Sequence, residues 1–379
     1  MSSSLLRAAL FALFVLLISS TPATAQSHIE GTVLDSETGK PLHGANVFLE
    51  NTLYGTATDK EGNFELTGLD QGTFTLVVSM VGYARRERTV TVSSSSQDNS
   101  SSNHEISLTP DPVELKGIRV EGDRSKWLEH LEEFRESFFG KPENAEECEF
   151  INPEVLAFEL IGDTLVARAK QPLRIRNNAL GYEVTYHLPR YETYSRSWTR
   201  YGTAEFDTIR AQNDKVRADW KEARRHTYKG SLYHFLDALK ANDLEKEGFR
   251  VKELGSHQIR RGRIQGRDLK GGFISDASEI FTSLDESGKA ILSPPNPANS
   301  ENILLIQYNE DGDFSPHSYG PRQSRISMMR FVGSNRTVIN SETGNSIRMG
   351  TGYYTLRGFW GWHMTAATAL PANYHPSNK

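Results

Sequence analysis

Between Ile29 and Leu108 the chain runs in short apolar stretches broken by polar corners. The stretches Ile29–Leu34, Ala45–Leu49, Gly55–Thr58, Phe64–Leu66, Thr73–Ser79, Arg86–Val92 and Glu105–Leu108 each predict a strand bounded by turn residues. In Phe74, Leu76, Val78 and Met80 the large apolar residues fall on every second position, which places one face of that strand inward. Gly39-Lys40-Pro41 and the run Asp59 to Asn63 supply corners, because Gly reaches positive φ without a Cβ clash and Asp or Asn bonds its own backbone. Seven short strands so closely spaced predict a β-sandwich.

Further along the period changes. Trp127, Leu128, Leu131, Phe134 and Phe138 recur at three- and four-residue steps, predicting a core-facing helix that Asp123 caps and Gly140 ends. Strands are predicted at Val155–Ile161, Thr164–Ala169, Leu173–Ile175 and Gly181–Leu188, with hairpin turns at Gly162-Asp163 and Asn177-Asn178. A helical stretch follows from about Asp214 to Leu244, its apolar second half capped by Ser231. Ile303–Tyr308, Ile326–Val332 and Arg336–Asn340 read as strands. The aromatic cluster Tyr353, Tyr354, Phe359, Trp360, Trp362 and Tyr374 suits a carbohydrate-stacking platform or a helix closing a core. The second region is therefore expected to be an α+β domain.

A chain of 379 residues has room for two domains, here the sandwich over 26–110 and the α+β domain over 123–379, joined by a linker at 111–122. Ser93 to Asn103 has nothing apolar to bury and reads as a flexible insert. Residues 1–25 carry Arg7, an apolar run from Ala8 to Ile18 and Ala23-Thr24-Ala25, the layout of a secretory signal peptide cleaved before Gln26. That run is shorter than the roughly 20 residues that cross a bilayer, so the mature chain is expected to be exported without a transmembrane span. It would reside in the periplasm, at the outer membrane or outside the cell, and its oligomeric state is not legible. A net charge of -5 gives no basic surplus for nucleic acid. The single cysteine, Cys148, excludes an internal disulfide; beside Phe150 and Ile151 it reads as a small buried hydrophobe, the alternative being a reactive thiol.

Three constellations invite chemistry. His130-Leu131-Glu132-Glu133 contains the His-x-x-Glu spacing of a zinc site, but it lies mid-helix without a third ligand. Ser231, His234 and Asp237 sit on one helix, where they cannot converge on one proton path as a triad requires. Lys215, Arg217, Lys221, Arg224, Arg225 and Lys229 crowd beside Trp220, as either an anion- or glycan-binding face or a solvated helix surface. The expectation is no catalytic, metal or cofactor-binding residue, with Arg224, Arg225, Trp360 and Trp362 as the candidate ligand or partner surface.

Gly31-Thr32-Val33, Asp35, Thr38-Gly39, Pro41-Leu42, Gly44-Ala45-Asn46-Val47, Gly55-Thr56, Thr58-Asp59, Gly62-Asn63-Phe64, Gly72 and Val81-Gly82-Tyr83 together resemble the carboxypeptidase-like regulatory domain. The resemblance implies an all-β, transthyretin-like seven-stranded sandwich of the kind found in exported and outer-membrane proteins of Bacteroidota. It implies no peptidase activity, and it makes Asp35, Asp59 and Asn63 turn-formers in place of calcium ligands. The second region, in stretches such as Asn177 to Tyr182, Gly230 to Leu236 and Gly361-Trp362, resembles a companion domain of unassigned function, which implies no mechanism. The expected function is a non-catalytic, exported cell-envelope binding or scaffold protein whose partner is an envelope protein or glycan. The alternatives are an accessory or sensor component of an outer-membrane uptake system, and a hydrolase, of the zinc carboxypeptidase type or another, with an unrecognised site.

Overall fold

The computed structural model describes residues 27–92, 104–111, 124–140, 143–169, 171–194, 197–254, 259–260, 263–264, 273–274, 279–284, 290–292, 303–311, 325–332, 337–339, 346–347, 353–358, 360 and 364–377. The expected signal peptide, the serine-rich insert, the linker and the Asp123 cap lie outside the described residues.

Seven strands form the first unit: β1 (His28–Asp35), β2 (Asn46–Leu49), β3 (Gly55–Ala57), β4 (Asn63–Thr67), β5 (Gly72–Ser79), β6 (Arg86–Val92) and β7 (His104–Leu108). They make two sheets, β4-β1-β7 and β3-β2-β5-β6, the sandwich that the alternation predicts. Val33, Val47, Leu49, Phe64, Phe74, Leu76, Val78 and Leu108 fill the space between them, each such side chain contributing about 1.5–3 kcal/mol relative to exposure. Asp35 and Asp59 act at corners: Asp35 Oδ1 accepts from the Glu37 and Thr38 amides at 2.8 and 2.7 Å, and Asp59 Oδ1 accepts from Glu61 and Asn63 at 3.0 and 2.7 Å. These bonds hold the Asp35 carboxyl below the usual carboxylate range, with Tyr83 Oη donating to its other oxygen at 2.8 Å.

The second unit opens with α1 (Arg124–Phe139). Its buried residues are Phe134, Phe138 and Phe139, and their rings meet Phe150, Tyr186 and Tyr191 of the adjoining sheet. The inward stripe is shorter than its sequence spacing suggests, since Leu128 is 49% exposed. Gly140 follows at φ 71, the left-handed conformation that ends the helix. The sheet comprises β8 (Cys148–Phe150), β9 (Leu156–Ile161), β10 (Thr164–Ala169), β11 (Leu173–Asn177), β12 (Tyr182–Tyr194) and β13 (Ser197–Thr208). Its order is β8-β11-β12-β10-β9, with β13 on the other side of β12. The register of β12 with β13 shifts between His187 and Arg190, at Pro189, which has no N–H to give the ladder.

The helical stretch expected from Asp214 to about Leu244, with its second half capped by Ser231, is two helices. α2 (Asp214–Tyr228) is capped by Asn213, whose Oδ1 accepts from the Val216 amide, and α3 (Leu232–Ala241) by Ser231. Gly230 separates them at φ 72, where a Cβ would stand 2.5 Å from the Tyr308 ring. Beyond α3 lie β14 (Phe249–Leu254), the ribbon β15 (Ile259–Arg260) and β16 (Arg263–Ile264), β17 (Phe281–Leu284), β18 (Ala290–Leu292), β19 (Ile303–Tyr308), β20 (Arg325–Val332), β21 (Thr337–Ile339), β22 (Ser346–Ile347) and β23 (Tyr353–Gly358). They form sheets β14-β19-β20-β23 and β17-β18-β21-β22. A strand therefore stands at Tyr353–Gly358 where a core-closing helix was an option. Among the described residues no helix is long and apolar enough to cross a membrane.

Candidate functional site

Strands β2 and β5 break the alternation of a one-sided sheet, because Phe48 and Val77 point away from the sandwich core yet are 0% exposed. What covers that outer face is the second unit. The Phe48 ring stacks on the His187 ring of β12 at a centroid distance of 5.6 Å and an interplanar angle of 10°. Asn46 Nδ2 donates to Glu205 Oε2 at 2.6 Å, and the Arg85 guanidinium donates to Thr203 Oγ1 of β13 while pairing with Glu87.

The turn between β2 and β3 fastens this contact. Asn51 adopts φ 59, a left-handed conformation that Asn tolerates better than most residues. Its amide donates to Ala204 O at 2.7 Å, its side-chain Oδ1 accepts from the Ala204 amide at 3.2 Å, and its carbonyl accepts from the Ala372 amide at 2.7 Å. The Phe206 amide donates to Thr52 O at 3.2 Å. Two turn residues thus occupy the edge of β13 opposite β12, a sheet edge that would otherwise present open backbone groups. Thr52 is itself wholly buried and bonds back to Leu49 O at 2.8 Å, which fixes the turn.

Three ionisable groups sit in this contact. Burial, and secondarily the Arg85 charge, push His187 down to about 4, and its buried Nε2 has no hydrogen-bond partner. Burial raises the Glu205 carboxyl, against the opposing bond from Asn46. Burial likewise raises Glu50, with Glu87 adding to the shift and Arg85 opposing it.

The residues singled out from sequence divide. Arg224 is not a free basic side chain: its Nε donates to Leu180 O at 2.6 Å, its terminal nitrogen donates to Gly181 O at 3.1 Å, and its guanidinium lies 4.1 Å from the Tyr182 ring centre. Arg225 faces outward and pairs with Glu222 and, at 4.0 Å, with Glu310. Trp360 corrects the surface assignment, being 1% exposed with Nε1 donating to Gly230 O at 2.8 Å and its ring 5.3 Å from Phe235. Trp362 lies outside the described residues. Arg224 and Arg225 thus lie on α2, while Trp360 is buried against Gly230 and Phe235.

Ser231, His234 and Asp237 make no relay. Ser231 Oγ accepts from the His234 amide at 3.2 Å, the cap that its position implies. His234 Nδ1 accepts from the Gly230 amide at 3.0 Å, so Nε2 carries the proton and meets Glu247 at 3.1 Å. Both ring nitrogens are committed, and Asp237 instead accepts from Tyr228 Oη at 2.7 Å. His130 is half-buried beside Phe158, with its neighbours Glu132 and Glu133 exposed. Among the described residues no three His, Cys, Asp or Glu side chains converge as metal ligands. Cys148 is 2% exposed, its thiol pushed up to about 12 by burial and donating to Asn144 O at 3.2 Å.

Sequence reasoning missed the contact face. Its strand β13 is polar and irregular in sequence and was not predicted. The legible signal was Phe48 and Val77, two apolar residues on the wrong parity of otherwise well-behaved strands.

Two curated relatives match the N-terminal part of the chain. The TonB-dependent receptor SusC of Bacteroides thetaiotaomicron is 45% identical over 62 residues, 16% of this chain and 6% of the receptor. A TonB-dependent receptor of Formosa agariphila is 41% identical over 63 residues, 17% of this chain and 6% of the receptor. The chain thus spans only a small part of the length of these relatives. Among solved structures, a Streptococcal ancillary pilin is similar at 16% identity over 23% of this chain and 30% of that chain, with a TM-score of 0.19, too low to define a common fold. The family model of the CarboxypepD_reg-like domain matches residues 29–119, and the N-terminal sandwich is a domain of that family.

Proposed function

We propose that the chain is a non-catalytic protein of the cell envelope that binds or presents a partner, acting as an accessory component of an outer-membrane uptake system. The observation that carries this reading is the fastening of the sandwich, by the Asn51-Thr52 turn and the Phe48 face, onto β12 and β13. A module held in this way moves with the second unit and orients whatever that unit carries. The kinship of the sandwich to segments of two TonB-dependent receptors supports an envelope setting. Envelope proteins or glycans are the partner classes that follow.

The test is affinity capture from a solubilised Bacteroidota envelope with the mature chain as bait. Recovery of outer-membrane receptor components, or saturable retention of an envelope glycan, is the expected result. Turnover of envelope peptides or glycans by the purified chain, with no captured partner, overturns the reading.

A further inference from the structure

One face of the sandwich departs from its own pattern. On β5 the inward row is Phe74, Leu76 and Val78, all buried. In the antiparallel register these residues stand opposite Val90, Arg88 and Arg86 of β6. The edge strand continues the apolar row for Val90 and Val92, then sets two exposed arginines where the next inward side chains belong.

The backbone explains why space exists there. At one end the two sheets are drawn together: the Ala84 amide donates to Thr109 O at 2.8 Å and the Asp111 amide to Gly82 O at 2.8 Å. From that corner β6 follows one sheet and β7 the other. Among the described residues each is the last strand of its sheet, and the seam between them holds a cavity of about 210 Å³. Leu76, Val78 and Ile106 form its floor, and Arg86 and Arg88 flank them. Among the described residues neither arginine pairs with a carboxylate; Arg88 approaches only His104 Nδ1, at 3.4 Å. Glu87 and Glu105 also contribute to the lining, Glu87 with its carboxylate paired to Arg85 and Glu105 exposed.

We propose that this seam is a docking site for an extended peptide segment of a partner protein, one that adds to the edge of β7 left unpaired among the described residues and turns alternate aliphatic and acidic side chains inward. An extended segment satisfies the open backbone groups of an edge strand and reads specificity through every second side chain. The floor accepts an aliphatic group, and Arg86 and Arg88 offer a planar, bidentate match to a carboxylate. This site is independent of the Asn51 contact, which uses the opposite face of the same sheet, and it does not rest on the function proposed above.

Inward charges on an edge strand also serve simply to deter strand addition, and charge reversal separates the two roles because it keeps charge at both positions. The probe is a fluorescein-labelled peptide of alternating Asp and Leu, titrated into the mature chain and read by fluorescence anisotropy, with an alternating Lys and Leu peptide beside it. Saturable binding of the acidic peptide is expected, weakened at least tenfold in the Arg86→Glu/Arg88→Glu variant, which should gain affinity for the basic peptide. Both side chains are exposed, so the thermal unfolding of the variant should match that of the parent; should it not, Arg88→Gln alone is expected to weaken binding several-fold. No saturable binding to the parent chain, equal binding of both peptides, affinity indifferent to the substitutions, or retention only on phosphatidylglycerol vesicles overturns the proposal.

Discussion

Asn51 and Ala204 clasp one another across the boundary between the two units: the amide of Asn51 donates to Ala204 O, and the amide of Ala204 donates back to Asn51 Oδ1. Few side chains can do this from a left-handed backbone. Asn51→Ala removes the side-chain acceptor and places a Cβ-bearing, non-bonding residue at φ 59, for a loss of about 2–3 kcal/mol. Asn51→Gly keeps the conformation and loses only the acceptor, for about 1 kcal/mol. Urea unfolding of the chain ranks the two.

His187 makes the contact sensitive to acid. Its value of about 4 in the folded chain lies below the 6.5 of a free imidazole, so the unfolded chain takes up the proton first. Stability is unaffected above 6.5 and is lost as pH falls from there towards 4, by about 2 kcal/mol at pH 5. Glu50 and Glu205 act in the opposite sense, since their raised carboxyls penalise the folded chain when ionised and cease to do so as pH falls through their folded values. The quantity to measure is therefore the difference between parent and His187→Gln unfolding profiles over that range. A difference that stays flat removes His187 from the account.

The two neighbouring arginines of α2 should behave unlike each other. Arg224→Ala leaves the carbonyls of Leu180 and Gly181 without their donor and uncovers the Tyr182 ring, a loss of about 2–3 kcal/mol. Arg225→Ala breaks only exposed ion pairs, whose contribution is about 0–1 kcal/mol. Thermal melts of the two variants separate a structural arginine from a surface one.

Much of this architecture was written plainly in the chain. The seven sandwich strands fall within a residue or two of their alternating runs, because corners such as Asp59 to Asn63 bond locally and need no distant partner to form. The second unit was less legible. β13 owes its strand to pairing with β12 and to the turn at Asn51, the latter a contact more than a hundred residues away in sequence. Trp360 belonged to a cluster read as core or as a stacking surface, since an aromatic residue's burial depends on whether a carbonyl such as that of Gly230 meets its N–H. The candidate site was least visible, because its key residue is an unremarkable asparagine in a turn.

Gly181 offers a sharper test of the second unit. At φ 66 it is already in the left-handed region, and a Cβ there would stand 2.3 Å from the Trp220 ring. Trp220 cannot retreat freely, since its Nε1 donates to Asn178 O at 2.6 Å. Gly181→Ala is expected to destabilise the chain by at least about 3 kcal/mol and to shift tryptophan emission to the red. An unchanged emission maximum and midpoint would show that the helix slides without cost.

The covered outer face of the β3-β2-β5-β6 sheet carries a practical corollary. Phe48 is shielded by the His187 ring of β12, and Val77 on the same face is wholly buried in the intact chain. A fragment ending near residue 110 would keep its seven strands and its own interior, yet bare a greasy, flat surface on the side that the intact chain hides. Such a fragment would stick to itself or to unrelated proteins, and any ligand it captured would report the scar of the cut.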